Sequence, residues 1–354
     1  MKNLIVVGGG ISGITLIKEL EKVTKTGLNV ILIEPKDYLE VPYGILRALV
    51  DPIGYGTKVR RRISEIITSK HIRAKVVKMT SNEVILDNDK VIQYDHAVIA
   101  TGSESKGFNE LKIRDRQNIS KREEQWKSHA KRLEAADKIA VVGGGTVGVE
   151  LAGEIAEKYP EKKVVIYHRG TRVLESLPPS ASAKAARVLR KLGVSILYNQ
   201  DIKITDVDGT FTIEDSDAVI SKFDIVYKSF GNHIETDYLD NGFKNWINGK
   251  GQIKVNEYLQ PNGHDNIWVV GDINDLPEIK LGTLAIRQAK ITSSNIIRKL
   301  DDKPMKRYKP VKGAISFITL GKKKGIAQLP FGRLDFLAAY KQKKDLFVTD
   351  ILYK

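Results

Sequence analysis

Apolar positions along this chain follow two periods, and the switches between them predict its elements. Residues 4 to 7, Leu-Ile-Val-Val, are an unbroken apolar run rich in β-branched residues, the mark of a strand buried on both faces of a parallel sheet. Ile14, Ile17, Leu20 and Val23 then recur at helical spacing, and NVILIE at 29–34 predicts a second strand. The order repeats with KIAVV at 138–142, a helical VGVELAGEIAEKY at 147–159 and KVVIYH at 163–168. Residues 83–103 alternate like a small hairpin and run into an apolar strand ending in Ala-Thr-Gly. Strands are also predicted within 223–232 and 266–275, and the latter precedes a helical pattern over 283–300. The charged stretch 104–137 reads as a linker with one surface helix, and the composition changes again from 303.

The repeated strand–helix–strand order predicts an α/β protein with two Rossmann-like dinucleotide-binding domains and a small C-terminal domain. The first domain is expected over 1–110 and again over 230–302, the second over 111–229, and the terminal segment over 303–354. A length of 354 residues suits that division.

Composition narrows the chemistry. The chain has no cysteine, which excludes disulfides, thiolate nucleophiles, thiolate zinc sites and redox dithiols. Electron chemistry must therefore come from a bound cofactor, and no metal is expected. No apolar run approaches the roughly 18–20 residues of a membrane span, and the first strand leaves no room for a signal peptide, so a cytoplasmic protein is expected. The net charge is +15, and residues 303–354 hold 13 Lys or Arg against three acids, a local net of +10. That surplus suits either a solvated surface or peripheral contact with an anionic membrane. Nucleic acid is disfavoured, because no helix-turn-helix, finger or stacking motif accompanies it.

Gly8, Gly10 and Gly13 fit G-x-G-x-x-G directly after a strand. The first glycine permits the tight turn, the second lets backbone approach a pyrophosphate, and the third lets the helix pack on the strand with its amides facing the phosphates. Glu34 closes the second strand, where an acid holds a ribose hydroxyl. Gly143, Gly145 and Gly148 repeat the turn, but their second strand ends in Tyr167, His168 and Arg169 with no acid. Loss of the carboxylate removes the selection for an unphosphorylated ribose, and Arg169 is placed to pair with a 2′-phosphate, so NADPH is expected beside NADH. Two unequal sites imply a relay in which a nicotinamide supplies hydride to a resident FAD. Gly271-Asp272 suits the flavin side, its carboxylate on the ribitol, and a helix starting near Gly282 or Thr283 would aim its positive end at the flavin N1–O2 edge.

The set VVGGGISG, VIATGS, VVGGGTVGVELAGEI, NIWVVGDIND and a basic tail resembles the two-dinucleotide-binding-domain flavoproteins. Within them the chain is most similar to the apoptosis-inducing-factor-like ferroptosis suppressor oxidoreductases. The most specific stretches are VELAGEIAEKYPEKKVVIYH, QIKVNEYLQ and the tail YKPVKGAISFITLGKKKGIAQLPFGRL with KKDLFV. The resemblance implies an FAD-dependent NAD(P)H:quinone oxidoreductase acting on a ubiquinone- or menaquinone-like acceptor at a membrane surface or lipid droplet, and it allows for a homodimer. It places Gly8, Gly9, Gly10, Ile11 and Ser12 around the FAD pyrophosphate. Arg47 is implied to contact FAD, Val76 to meet the adenine through its backbone, and Thr101 and Gly102 to lie beside the flavin. Glu150 falls where the family keeps a glutamate by the nicotinamide. Phe347, Lys341 and Lys343 are implied at the acceptor pocket, with Gln342 leaving open which lysine faces the flavin. The myristoylation signal of animal members is lacking in MKNLIVV. Two other readings stay open: a respiratory type II NADH dehydrogenase, and a redox-sensing or death-signalling flavoprotein that binds nucleic acid through its basic surface.

Overall fold

The computed structural model of the chain describes residues 1–23, 27–105, 107–108, 111, 116–216, 218–313 and 315–353. It opens with strand β1 (Lys2–Val7), helix α1 (Ile11–Glu21), strand β2 (Leu28–Ile33), short helix α2 (Ile45–Val50) and strands β3 (Lys70–Ile72) and β4 (His96–Ile99). Helix α3 (Ile119–Ala135) leads into β5 (Lys138–Val142), α4 (Thr146–Lys158), β6 (Lys163–Tyr167), α5 (Pro179–Lys191), β7 (Ser195–Leu197) and β8 (Ile225–Lys228). The chain then returns through β9 (Ile267–Val269) and α6 (Gly282–Leu300). It ends in the hairpin of β10 (Ser316–Leu320) and β11 (Lys324–Leu329), covered by α7 (Asp335–Lys343).

Two parallel sheets form the frame, in the orders β9-β4-β1-β2-β3 and β7-β6-β5-β8. The apolar runs explain why both are covered: Leu4, Ile5 and Val6, like Ile139, Ala140 and Val141, are fully buried on alternating faces. Helix α1 packs beside α6 on the first sheet, so the first glycine turn and the distant Gly271-Asp272 turn share one edge. The fold class is the α/β, doubly Rossmann-like one that the pattern predicts.

Two features depart from the sequence reading. Helix α3 is not simply a surface helix: Arg122, Trp126, His129 and Leu133 form a buried stripe at helical spacing. Arg122 pairs with Glu40 at 2.9 Å in the first part of the chain, while Tyr227 on β8 bonds His129 at 2.8 Å. Counting apolar residues misses that face because two of its members, Arg122 and His129, are polar residues buried through partners distant in sequence. Between β7 and β8 an antiparallel sheet of Lys203–Val207, Thr210–Glu214 and Ile220–Phe223 was also not anticipated. Its strands are mostly exposed, and only Ile204, Phe211, Ile213 and Phe223 form an inner face, packed on Ala140, Val142 and Tyr167 of the second sheet.

Candidate functional site

Both glycine turns have the same backbone, since the residue before each helix, Gly10 or Gly145, sits at φ −75°, ψ −173°. Gly8 lies at φ +106°, where a Cβ would meet Ala100 O at 2.5 Å, and a Cβ on Gly13 would sit 2.0 Å from Gly8 O. Those contacts leave room for glycine alone. Gly10, by contrast, has open space beside it, the cradle that a pyrophosphate needs. The first bond inside α1 is donated by Ile14 to Gly10 O at 3.0 Å, so the amides of Ile11, Ser12 and Gly13 point out of the helix end. Glu34 accepts from Gly9 N at 2.6 Å and from Lys36 N at 3.1 Å, which holds its carboxylate at the mouth of the turn.

Adjacent parallel strands bring the remaining flavin candidates to that edge. Because β4 lies between β1 and β9, Thr101-Gly102-Ser103 and Gly271-Asp272 emerge side by side. Ser103 Oγ donates to Asp272 Oδ2 at 2.7 Å, and Thr101 Oγ1 lies 3.3 Å from Tyr238 OH. Gly271, at φ +86°, passes so close to α1 that a Cβ would lie 3.0 Å from Ser12 Oγ. Its N–H is held by Gln288 Oε1 of α6 at 2.8 Å. Gly8–Gly13, Glu34, Thr101, Gly102, Gly271 and Asp272 therefore form one cradle, and its open space, carboxylates and helix-end amides fit FAD. Val76 begins the separate strand Val76–Met79, half-buried in a three-stranded antiparallel sheet.

The second turn repeats the first with one substitution of chemistry. A Cβ on Gly148 would lie 2.0 Å from Gly143 O, as at Gly13. Where Glu34 accepts from Gly9, the ring Nδ1 of His168 accepts from Gly144 N at 3.1 Å. An imidazole thus stands in the position of the acid. Accepting at Nδ1 puts the proton of the neutral ring on Nε2, and the Glu175 carboxylate approaches that nitrogen at 4.0 Å. Arg169 follows, exposed to solvent.

Glu150 lies on α4 just past this turn. Its Oε1 accepts from Thr319 N at 2.8 Å and Thr319 Oγ1 at 3.2 Å, which joins α4 to β10. Burial pushes its carboxyl up to about 7, against the opposing pull of the Thr319 bonds and the Lys341 ammonium. Lys341 reaches in from α7 and sits 4.9 Å from the Tyr43 ring centroid and 5.3 Å from that of Phe317. Burial lowers its own pKa, and Glu150 partly restores it. Lys341 is thus the tail lysine that turns inward, whereas Lys343 is exposed on the outer side of α7. Phe347 is half-buried, its ring 6.2 Å from that of Tyr340. The approach of Lys341 on α7 to within electrostatic reach of Glu150, near the start of α4, is what sequence reasoning missed, because no local pattern joins positions 150 and 341.

Arg47 is held by partners on α4 and in the tail. Its Nε and Nη2 donate to Glu154 at 2.9–3.2 Å, and Nη2 also reaches Gly321 O and Gln342 Oε1, each at 3.3 Å. Those donors make a buried ion pair that ties α2 to α4 and the tail. A cavity of about 1170 Å³ opens where the parts meet, lined by residues 176–178, 248–250, 252, 275–280, 311–313, 316 and 328–330. Such junctions between domains are where small-molecule sites concentrate.

With two dinucleotide turns, an FAD cradle and a glutamate facing a tail lysine in place, the comparisons agree on a class. Residues 2–289 match the pyridine nucleotide-disulphide oxidoreductase family, and the chain belongs to it. It is an FAD-dependent oxidoreductase that uses NADH or NADPH. Among curated relatives it is similar to Ferroptosis suppressor protein 1 of Xenopus tropicalis, at 28% identity over 98% of this chain and 94% of that one. Among solved structures it superposes on NDH2 of Plasmodium falciparum in complex with NADH, with TM-score 0.77, 15% identity and coverage of 100% and 95%. An engineered water-forming NADPH oxidase bound to NADPH matches with TM-score 0.73, 20% identity and coverage of 96% and 77%. It carries five substitutions in an NADH oxidase of Lactobacillus brevis, among them loss of an aspartate and gain of an arginine at the next position.

Proposed function

We propose that this chain is an NAD(P)H:quinone oxidoreductase whose acceptor site lies between α4 and the tail. The observation that carries it is the inward turn of Lys341 over the rings of Tyr43 and Phe317, with the Glu150 carboxyl near enough that each charge shifts the titration of the other. FAD, when bound, supplies the two-electron carrier between nicotinamide and acceptor. The chain's own groups position and titrate. Thr319 fixes Glu150 Oε1, so a proton held by that carboxyl sits on Oε2, and a group titrating near 7 can both hold and release it at working pH. Lys341 sets a positive charge over two aromatic faces, where a flat carbonyl-bearing ring would gain both stacking and a charge-assisted hydrogen bond. Phe347 closes the outer side of this segment.

Gly143, Gly145, Gly148, His168 and Arg169 are assigned to the nicotinamide nucleotide, with Arg169 on a 2′-phosphate. An acid exchanged for a neutral residue followed by arginine is also the chemistry of the engineered NADPH oxidase. The net +10 tail carries exposed Phe331, Phe336 and Tyr340, at 79%, 67% and 52%. Aromatic residues beside cations suit the interface of an anionic bilayer, which would bring a lipid quinone to the tail.

The test is anaerobic reduction of the purified yellow protein by NADH or NADPH, followed by mixing with a soluble short-chain quinone. Reoxidation within the turnover time is expected. Protein that is reduced by nucleotide yet stays reduced in the presence of quinone would sink the reading.

A further inference from the structure

Gln342 separates the inward lysine from the outward one, and it is itself only 9% exposed. Its Nε2 donates to Lys324 O at 2.6 Å, and its Oε1 accepts from Arg47 Nη2 at 3.3 Å. The amide is thereby tied to the first residue of β11 and, through Arg47, to Glu154 on α4. Successive residues of an α-helix point about 100° apart, so fixing one of them fixes the rotation of all the others. With Gln342 pinned against the hairpin, Lys341 falls between Tyr43 and Phe317, while Phe336, Tyr340 and Lys343 face out. The helix can sit this close because Gly325 lies beneath it, where a Cβ would be 2.9 Å from Ala338 Cβ and 2.8 Å from Ile318 O.

We propose that Gln342 is a positioning residue that sets the rotation of α7 and so holds the Lys341 ammonium over the Tyr43 and Phe317 rings, within electrostatic reach of Glu150. This rests on reading the Glu150–Lys341 pair as the acceptor site. Arg47 is drawn in as the far anchor of the same amide, which gives its buried ion pair a second role. A lysine turned away would leave Glu150 without its nearby positive charge, and its carboxyl would titrate still higher.

The experiment measures the pH profile of kcat/KM for NADH with a soluble quinone, using full-length holoenzyme. Native protein is compared with Gln342→Met, which keeps the shape without the hydrogen bonds, and with Lys341→Met. Expected is a profile midpoint near 7 in the native enzyme and an upward move of similar size in both variants, with flavin content unchanged. Should Gln342→Met fail to fold, Gly325→Ala lifts α7 by steric contact and makes the same test. A native midpoint in Gln342→Met or Gly325→Ala, beside a displaced one in Lys341→Met, overturns the positioning role alone. A native midpoint in Lys341→Met overturns the acceptor-site reading beneath it.

Discussion

Replacing Arg47 by Met tests whether the ion pair at the centre of the molecule binds its parts together. Glu154 is 3% exposed and Arg47 is 6% exposed. Removing the guanidinium strands a carboxylate that now accepts three donor contacts at 2.9–3.2 Å. Breaking a buried pair from one side costs about 3–5 kcal/mol, because the remaining charge keeps its desolvation penalty and loses its partner. At roughly 2.1 cal/mol/K per residue, 354 residues give an unfolding entropy near 0.7 kcal/mol/K, so about 4–7 °C of Tm is expected if the chain melts as one unit. Burial already raises the Glu154 pKa even with Arg47 present, and without it the rise is larger. A folded-state pKa above the unfolded one means that stability falls as pH rises between the two. The Arg47→Met deficit is therefore expected to be smallest at acid pH and to grow toward neutrality. Pairing Arg47→Met with Glu154→Leu should recover most of the loss, which calorimetry on the two singles and the double measures as a cycle. A single variant within 1 kcal/mol of native, or a double as costly as the sum of the singles, would refute the argument.

Four further outcomes are expected. Glu150→Gln should flatten the pH dependence of quinone turnover around 7, because a group that burial pushes up to about 7 no longer titrates; steady-state rates from pH 5.5 to 8.5 check this. Gly13→Ala and Gly148→Ala place the same methyl 2.0 Å from a carbonyl oxygen but should fail differently: the first yields colourless protein, and the second stays yellow yet is not reduced by NADH. Arg169→Asp should lower kcat/KM for NADPH by about tenfold or more relative to NADH, the loss of one charge-assisted phosphate contact. Phe336→Ser with Tyr340→Ser should weaken salt-sensitive co-sedimentation with anionic vesicles while leaving turnover of a soluble quinone intact.

Both glycine turns were legible from sequence because their chemistry is local. A strand, three glycines and a helix lie within residues 2–21, and the close approaches at Gly8 and Gly13 admit nothing larger. The link of Gly271-Asp272 to the flavin side was legible for another reason: a Gly-Asp pair alone is more often a turn, but this one closes an apolar strand far downstream of the first glycine turn. The tail was not. Whether Lys341 or Lys343 faces inward depends on the rotation of a nine-residue helix, and that rotation is set by Gln342 bonding Lys324 and Arg47, partners a helical pattern does not reveal. The Arg47–Glu154 ion pair is not legible either, because its partners lie 107 positions apart. Helix α3 was underestimated since its buried face uses Arg122 and His129, which read as surface residues until Glu40 and Tyr227 are seen beside them.

Order of synthesis gives the first sheet a particular history. Its strand β9 pairs with β4 across about 170 residues of intervening chain, and the whole second sheet is made in between. The second unit closes with β8 at Lys228, well before β9 exists. Asp272, Ser103's partner, and Gln288, which holds the turn's amide, emerge later still. A growing chain thus completes its second sheet while the first is open along one edge, and contacts of such long separation form slowly. Flavin capture is then a late event, made by the same strand that seals the first sheet, and supply of the cofactor acts on a chain whose other half is already folded.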